Sequence, residues 1–195
     1  MNKHTQFLRR VQQYSRAGAG CDISRLTVSD GNCNAPLMIA GFQHGNAETK
    51  PFTAEPGNFL RAVLAKMQIP PSFVMLTNII KSPTFLKRSD IEKWVELFRE
   101  EVQIINPRCV ILCGMEAAGW LLNLRQGSLD QYRRLRIVKS DAIALSYFVT
   151  HSPYDIPQPP AGVNGQGLEF IQDLRAVFEA DTNYFERIKI IRVES

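Results

Sequence analysis

Leu37-Met38-Ile39-Ala40-Gly41-Phe42-Gln43-His44-Gly45 is an apolar strand that runs directly into a polar segment. The same design recurs twice. Phe73–Thr77 runs into Asn78-Ile79-Ile80-Lys81-Ser82, and Ala144–Val149 runs into Thr150-His151-Ser152-Pro153. A fourth run, Cys109–Cys113, ends at Gly114 and a helical pattern. Helical periodicity fills the intervals between these runs. The order β-α-β-α-β-α-β-α predicts a three-layer α/β/α sandwich around a central, mainly parallel four-stranded sheet. Such sheets hold their ligands outside the carboxyl ends of the strands, so the polar segments after the runs are the candidate site.

Working outward, Thr5–Arg16 reads as an amphipathic helix with Phe7, Leu8, Val11 and Tyr14 on one side, ended by Ala17-Gly18-Ala19-Gly20. Pro56–Lys66 reads as a helix opened by proline. Ser89-Asp90 reads as the cap of a helix over Ile91–Ile104. Met115–Leu124 and Leu168–Ala180 are two more helices, and Gly127–Ser140 reads as a basic loop. Tyr154–Gly167, rich in proline and glycine, is a surface loop long enough to suspect function. Ile188–Val193 reads as an extra strand. The expectation is a single domain over 1–195, with an N-terminal helical segment at 1–20 and a C-terminal extension at 181–195.

The 195 residues suffice for one sizeable core. No apolar run approaches the roughly 20 residues of a membrane span, and the first residues carry no apolar stretch of signal length. A cytoplasmic location without membrane association is the default expectation. Cys21, Cys33, Cys109 and Cys113 form no C-x-x-C pair, which argues against a zinc ribbon. Net charge is +4, with basic clusters at Arg9-Arg10, Lys87-Arg88 and Arg133-Arg134-Leu135-Arg136. That balance fits a polyanionic partner.

Four segments in order carry a family resemblance. They are Gly41-Phe42-Gln43-His44-Gly45-Asn46-Ala47-Glu48 with Pro51-Phe52 after it, Thr77-Asn78-Ile79-Ile80-Lys81, Asn106-Pro107 through Gly114-Met115-Glu116-Ala117-Ala118, and Thr150-His151-Ser152-Pro153. Together they resemble the motifs of the uracil-DNA glycosylase superfamily, closest to its family 4 and family 5 enzymes, over roughly Cys21 to Ala180. Two departures stand out. Those families hold an iron–sulfur cluster on four cysteines, and the corresponding positions here are Gly18, Cys21, Ser82 and Trp94. One thiolate cannot hold a cluster, so no cofactor and no metal are expected. In the first motif Phe42 stands in place of the acid and His44 in place of the proline.

The resemblance implies a monomeric DNA glycosylase, of the monofunctional, hydrolytic kind, that leaves an abasic site. The substrate it implies is uracil in DNA or a modified pyrimidine. A glycosylase must extract a base and read its edge. Asn78 offers a donor and an acceptor for that edge, Phe52 matches the ring that stacks on the base, and Phe42 and Gln43 join them as substrate contacts. His151 is the candidate donor to the departing base anion, with His44 as a second donor. Glu48 is the candidate carboxylate for positioning water. Lys81, Ser152 and Tyr154 are the candidate DNA contacts, Tyr154 or Ile156 as a wedge into the duplex. The rival readings are a nucleic-acid-binding protein that has the fold without the activity, and an unrelated nucleotide-binding α/β protein. The absence of G-x-G-x-x-G and of a P-loop motif weighs against the latter.

Overall fold

The structure, a computed structural model, describes residues 2–18, 25–43, 50–55, 57–84, 86–124, 127–156 and 165–192. Its strands are β1 (Asp30–Gly31), β2 (Leu37–Gln43), β3 (Val74–Ile80), β4 (Cys109–Cys113), β5 (Leu135–Lys139), β6 (Ala142–Thr150) and β7 (Arg187–Ile191). Its helices are α1 (Lys3–Gly18), α2 (Asn58–Lys66), α3 (Arg88–Ile105), α4 (Met115–Leu122) and α5 (Gly165–Glu179). Among the described residues these strands form one sheet in the order β1-β3-β2-β4-β6-β5-β7.

The four expected strands form its parallel centre, β3-β2-β4-β6. Apolar side chains alternate between two cores because strand side chains alternate in direction. Met38 and Ala40 enter one core, with Phe7 and Val11 of α1, Trp94 and Phe98 of α3, and Ala117 and Leu121 of α4. Leu37 and Ile39 enter the other, with Leu60 and Leu64 of α2 and Phe170 and Leu174 of α5. Burial on both faces explains why these strands read as continuous apolar runs.

The sheet is wider than its four-stranded centre, and β7 is the extra strand read at Ile188–Val193. β1 is antiparallel to β3 on one edge, β5 is antiparallel to β6 on the other, and β7 continues parallel to β5. β5 falls inside the stretch read as a basic loop. In Leu135-Arg136-Ile137, Leu135 and Ile137 are buried while Arg136 is exposed, an alternation that the arginine-rich context concealed. The α3 cap also differs from expectation. The helix starts at Arg88, and Asp90 reaches back from its first turn to the Lys87 N–H at 3.3 Å. Among the described residues no helix is long and apolar enough to cross a membrane.

A buried ion pair ties β3 to α3. Lys81 Nζ lies 2.7 Å from Glu101 Oε2, with side chains 2% and 0% exposed. The ammonium also donates to Thr77 Oγ1 at 2.6 Å and to the Asn78 carbonyl at 3.0 Å, and Ser29 bonds the Glu101 carboxylate. Lys81 is therefore an internal brace and not the DNA contact expected from sequence. Removing one partner of such a pair strands the other charge in the core, at a cost of about 3–5 kcal/mol. Glu101→Ala should lower the melting temperature by roughly 6–20 °C in a chain of this size. The double variant Lys81→Met, Glu101→Leu should recover most of that loss in the same melts.

Candidate functional site

The chain leaves β2 for β3 on one side and leaves β4 for β6 on the other, which makes the β2/β4 boundary the switch point of the sheet. A crevice must open there, at the carboxyl ends. A cleft of about 200 Å³ occupies it, lined by Phe42 and Gln43 from β2, Gly114 and Glu116 after β4, and Ser152 and Asp155 after β6. A larger cavity, about 350 Å³, lies between β1, α2 and Pro70-Pro71. It faces Val74 and Leu76 in the first half of β3, away from the polar strand ends.

Asn78 and Phe52 meet beside the last residues of β2. Gly41 is the register partner of Asn78 in the β2–β3 pair. A Cβ on Gly41 would lie 2.5 Å from Asn78 Oδ1 and 3.2 Å from Phe52 Cζ, so only glycine leaves room for both. Asn78 is fully buried, and among the described residues neither its Oδ1 nor its Nδ2 has a hydrogen-bond partner. An unpaired buried polar group costs about 1–3 kcal/mol. Two such atoms on one side chain are uncommon in a folded core.

Phe52 holds a left-handed backbone, φ 58°, a conformation that costs a residue with a side chain on the order of 1–3 kcal/mol. Its ring is buried in the α2/α5 core and stacks on Tyr154 at 5.8 Å between centroids and 25° between planes. Tyr154 also presses on Gly57, where a Cβ would come within 2.8 Å of the tyrosine ring. The expected wedge residue is thus turned inward, as a wall behind Phe52. Ile156 is buried in the same core, which removes it as a wedge as well.

His151 follows β6 at the carboxyl end, as expected, and is nearly buried. Its Nε2 lies 2.7 Å from Glu169 Oε2 on α5, and Arg133 Nη1 lies 2.7 Å from the same oxygen. Arg133 in turn grips Asp173 with Nε at 2.9 Å and Nη2 at 3.2 Å. The Thr150 hydroxyl at 2.6 Å and the Tyr184 hydroxyl complete the Asp173 set. Asp173 thereby raises the already high pKa of Arg133 against the opposing effect of burial. Burial first, then Asp173, pushes the Tyr184 phenol up. Asp130, His151 and Glu169 lie close enough to share a cation, but the Arg133 guanidinium already stands among them.

The other sequence candidates divide. His44 and Glu48 lie outside the described residues. Gln43 spends its amide on the loop after β3, donating to the Ser82 carbonyl at 2.7 Å and the Thr84 carbonyl at 3.0 Å, so its donors hold that loop and not a base. Phe42 packs partly against the α3/α4 core and partly lines the cleft. Ser152 lines the cleft, and its hydroxyl accepts from the Tyr154 N–H at 3.3 Å. Gly114 takes φ 93°, and a Cβ there would meet Ser152 Cβ at 3.2 Å.

Sequence reading missed Glu116, Glu169 and Asp173 as members of the site. Glu169 and Asp173 stand four residues apart on α5, a spacing that places both on one helix face. Glu116 is the first charged residue after β4. Glu116 is exposed as a whole, but partial desolvation of its carboxyl first, then the Asp155 charge, raises it above its ordinary range. It sits in the first turn of α4, where the helix dipole favours the anion, so desolvation and Asp155 win.

An iron–sulfur cluster does not fit the residues at the corresponding positions. The Ser82 hydroxyl bonds Thr84 Oγ1 at 2.6 Å, and the fully buried Trp94 indole meets Tyr14 edge-on at 5.4 Å. Neither supplies a thiolate.

Comparison with protein families returns one finding. The model of the Uracil DNA glycosylase superfamily matches residues 28–174, about three quarters of the chain. Comparison with curated proteins returns no match.

Two measurements probe the site without any substrate. Asn78→Leu removes the unpaired amide at similar volume and should raise stability by about 1–3 kcal/mol in denaturant titrations. A loss would mean that the amide is satisfied. Glu116→Gln should show a pH-dependent gain. The folded state holds the wild-type carboxyl above its unfolded pKa, so wild-type stability falls as pH rises from the unfolded pKa through the folded one. The Gln variant should be the more stable at pH 7, with the difference fading below pH ~4.

Proposed function

The chain belongs to the uracil-DNA glycosylase superfamily, and we propose that it is a monofunctional DNA glycosylase that hydrolyses the N-glycosidic bond of uracil or a modified pyrimidine. The observation that carries this reading is the buried, unpartnered amide of Asn78 beside Phe52 at the end of β3. An amide kept dry and unpaired binds a partner that brings both a donor and an acceptor, which a pyrimidine edge does. A site built to pair with such an edge also rejects a base that leaves the amide unpaired.

In this reading the target base leaves the stack and enters beside Asn78, with its face on Phe52. As the glycosidic bond breaks, the base takes up negative charge and the sugar becomes oxocarbenium-like. The His151 imidazole donates to the base oxygen, exchanging its bond to Glu169 for one to the departing anion. A carboxylate positions the attacking water, either Glu116, which lines the cleft, or Glu48. The product is an intact abasic site. Lys87 and Arg88, which open α3 just beyond the carboxyl end of β3, are exposed and suit phosphate contact together with Ser152. The protein works on DNA as a monomer.

The rival reading, a nucleic-acid-binding protein without turnover, draws on Phe42, which stands where the family motif carries an acid. One assay separates the two. Purified protein is incubated with a panel of base-modified DNAs, and abasic sites are then cut with alkali. Alkali-dependent cleavage of uracil or a modified pyrimidine is expected; binding without cleavage across the panel supports the rival. On the cleaved lesion, His151→Ala should reduce the single-turnover rate by ~10²–10³, the loss typical of one preorganised donor to a developing anion. A rate equal to wild type removes His151 from the mechanism.

A further inference from the structure

The strained backbone at Phe52 is held by one side chain from α2. Arg61 Nε donates to the carbonyls of Pro51 at 3.1 Å and Phe52 at 3.0 Å, and its Nη2 donates to Pro51 at 2.6 Å. The same Nη2 lies 2.8 Å from Asp30 Oδ2 on β1, and Lys50 Nζ lies 3.2 Å from Asp30 Oδ1. Burial pushes the Asp30 carboxyl up, but the hydrogen bonds and charges of Arg61 and Lys50 outweigh it and hold Asp30 below the ordinary carboxylate range.

Arg61 therefore joins three elements: the edge strand, the turn that carries Phe52, and α2. A bulky residue keeps a positive φ only where its surroundings impose it, and the two carbonyls that Arg61 grips bracket that residue. A guanidinium can serve two carbonyls and a carboxylate at once because its donors are fixed in a planar fork, which an ammonium lacks. We propose that Arg61, oriented by Asp30, is a positioning residue that sets the Phe52 ring against the Asn78 amide. It acts on the reaction through that ring and touches no substrate. Its effect on turnover rests on the glycosylase reading; its effect on the ring does not.

The test uses the full chain with 4-fluorophenylalanine at position 52, observed by fluorine NMR, in Arg61→Met, Arg61→Lys and the control Lys66→Met. Lys66 is exposed at the end of α2. Circular dichroism confirms that each variant is folded. The resonance should move or broaden in Arg61→Met, move less in Arg61→Lys, and stay in place in Lys66→Met. On a lesion that wild type excises, Arg61→Met should lower kcat by about 10–100-fold with little change in KM, as a small misplacement of a site group does. Arg61→Lys should recover part of that loss. An unchanged resonance in folded Arg61→Met overturns the clamp, and a moved resonance with wild-type kcat overturns its role in turnover. Should wild type excise nothing from the panel, the glycosylase reading fails and the fluorine shift alone decides the clamp.

Discussion

The charge buried at the end of β3 governs the geometry of everything around it. A buried ammonium needs polar partners, and Glu101, Thr77 and the Asn78 carbonyl gather about Lys81. The result joins α3 to β3 and fixes the main chain at the residue whose side chain stays unpaired. The Asn78 carbonyl accepts from the lysine, while its side-chain amide has no partner among the described residues. The sheet supplies the complementary constraint. Both of its faces are covered by helices, so polar chemistry is confined to the strand ends and to the switch point between β2 and β4.

Much of this was legible in the residues. The four central strands announced themselves as apolar runs because both faces are buried. Asn78, Phe52 and His151 could be singled out because each stands next to a strand end or in a motif of recognisable order. What could not be read was direction and pairing. Lys81 follows Asn78 closely enough to look like a surface contact, and only the fold reveals Glu101 arriving from twenty residues away. Gln43 looks like a substrate contact until its amide is found on two loop carbonyls. Tyr154 looks like a wedge until Gly57 proves to be the space it fills. In each case the deciding partner is distant in sequence, and no local pattern encodes it.

The basic clusters teach the same lesson about charge. Arg133, Arg134 and Arg136 read together as a polyanion-binding stretch. In the fold Arg133 is held by Asp173, Arg134 lies over the Tyr184 ring and pairs with Glu186, and Arg136 donates to Ser146. Their charges serve intramolecular bracing before they serve any long-range field. Lys87 and Arg88 stand at the start of α3 and stay exposed, although Arg88 also pairs with Glu92 and lies over the Trp120 ring. Net charge alone does not separate these roles.

The strand β7 lies beyond residue 174, where the superfamily match stops, yet it occupies an edge of the sheet. It covers the hydrogen-bonding flank of β5 and presents its own flank in exchange, with Ile188 and Ile190 exposed on it. An open, apolar edge invites pairing with another chain, and natural sheets blunt such edges with charge. Arg187 and Lys189 alternate with those isoleucines and so point to the opposite face of the strand, where Lys189 lies over the Tyr132 ring. The appendage thus caps the sheet, and a polypeptide cut before it would leave the flank of β5 uncovered, with Arg136 as its exposed charge.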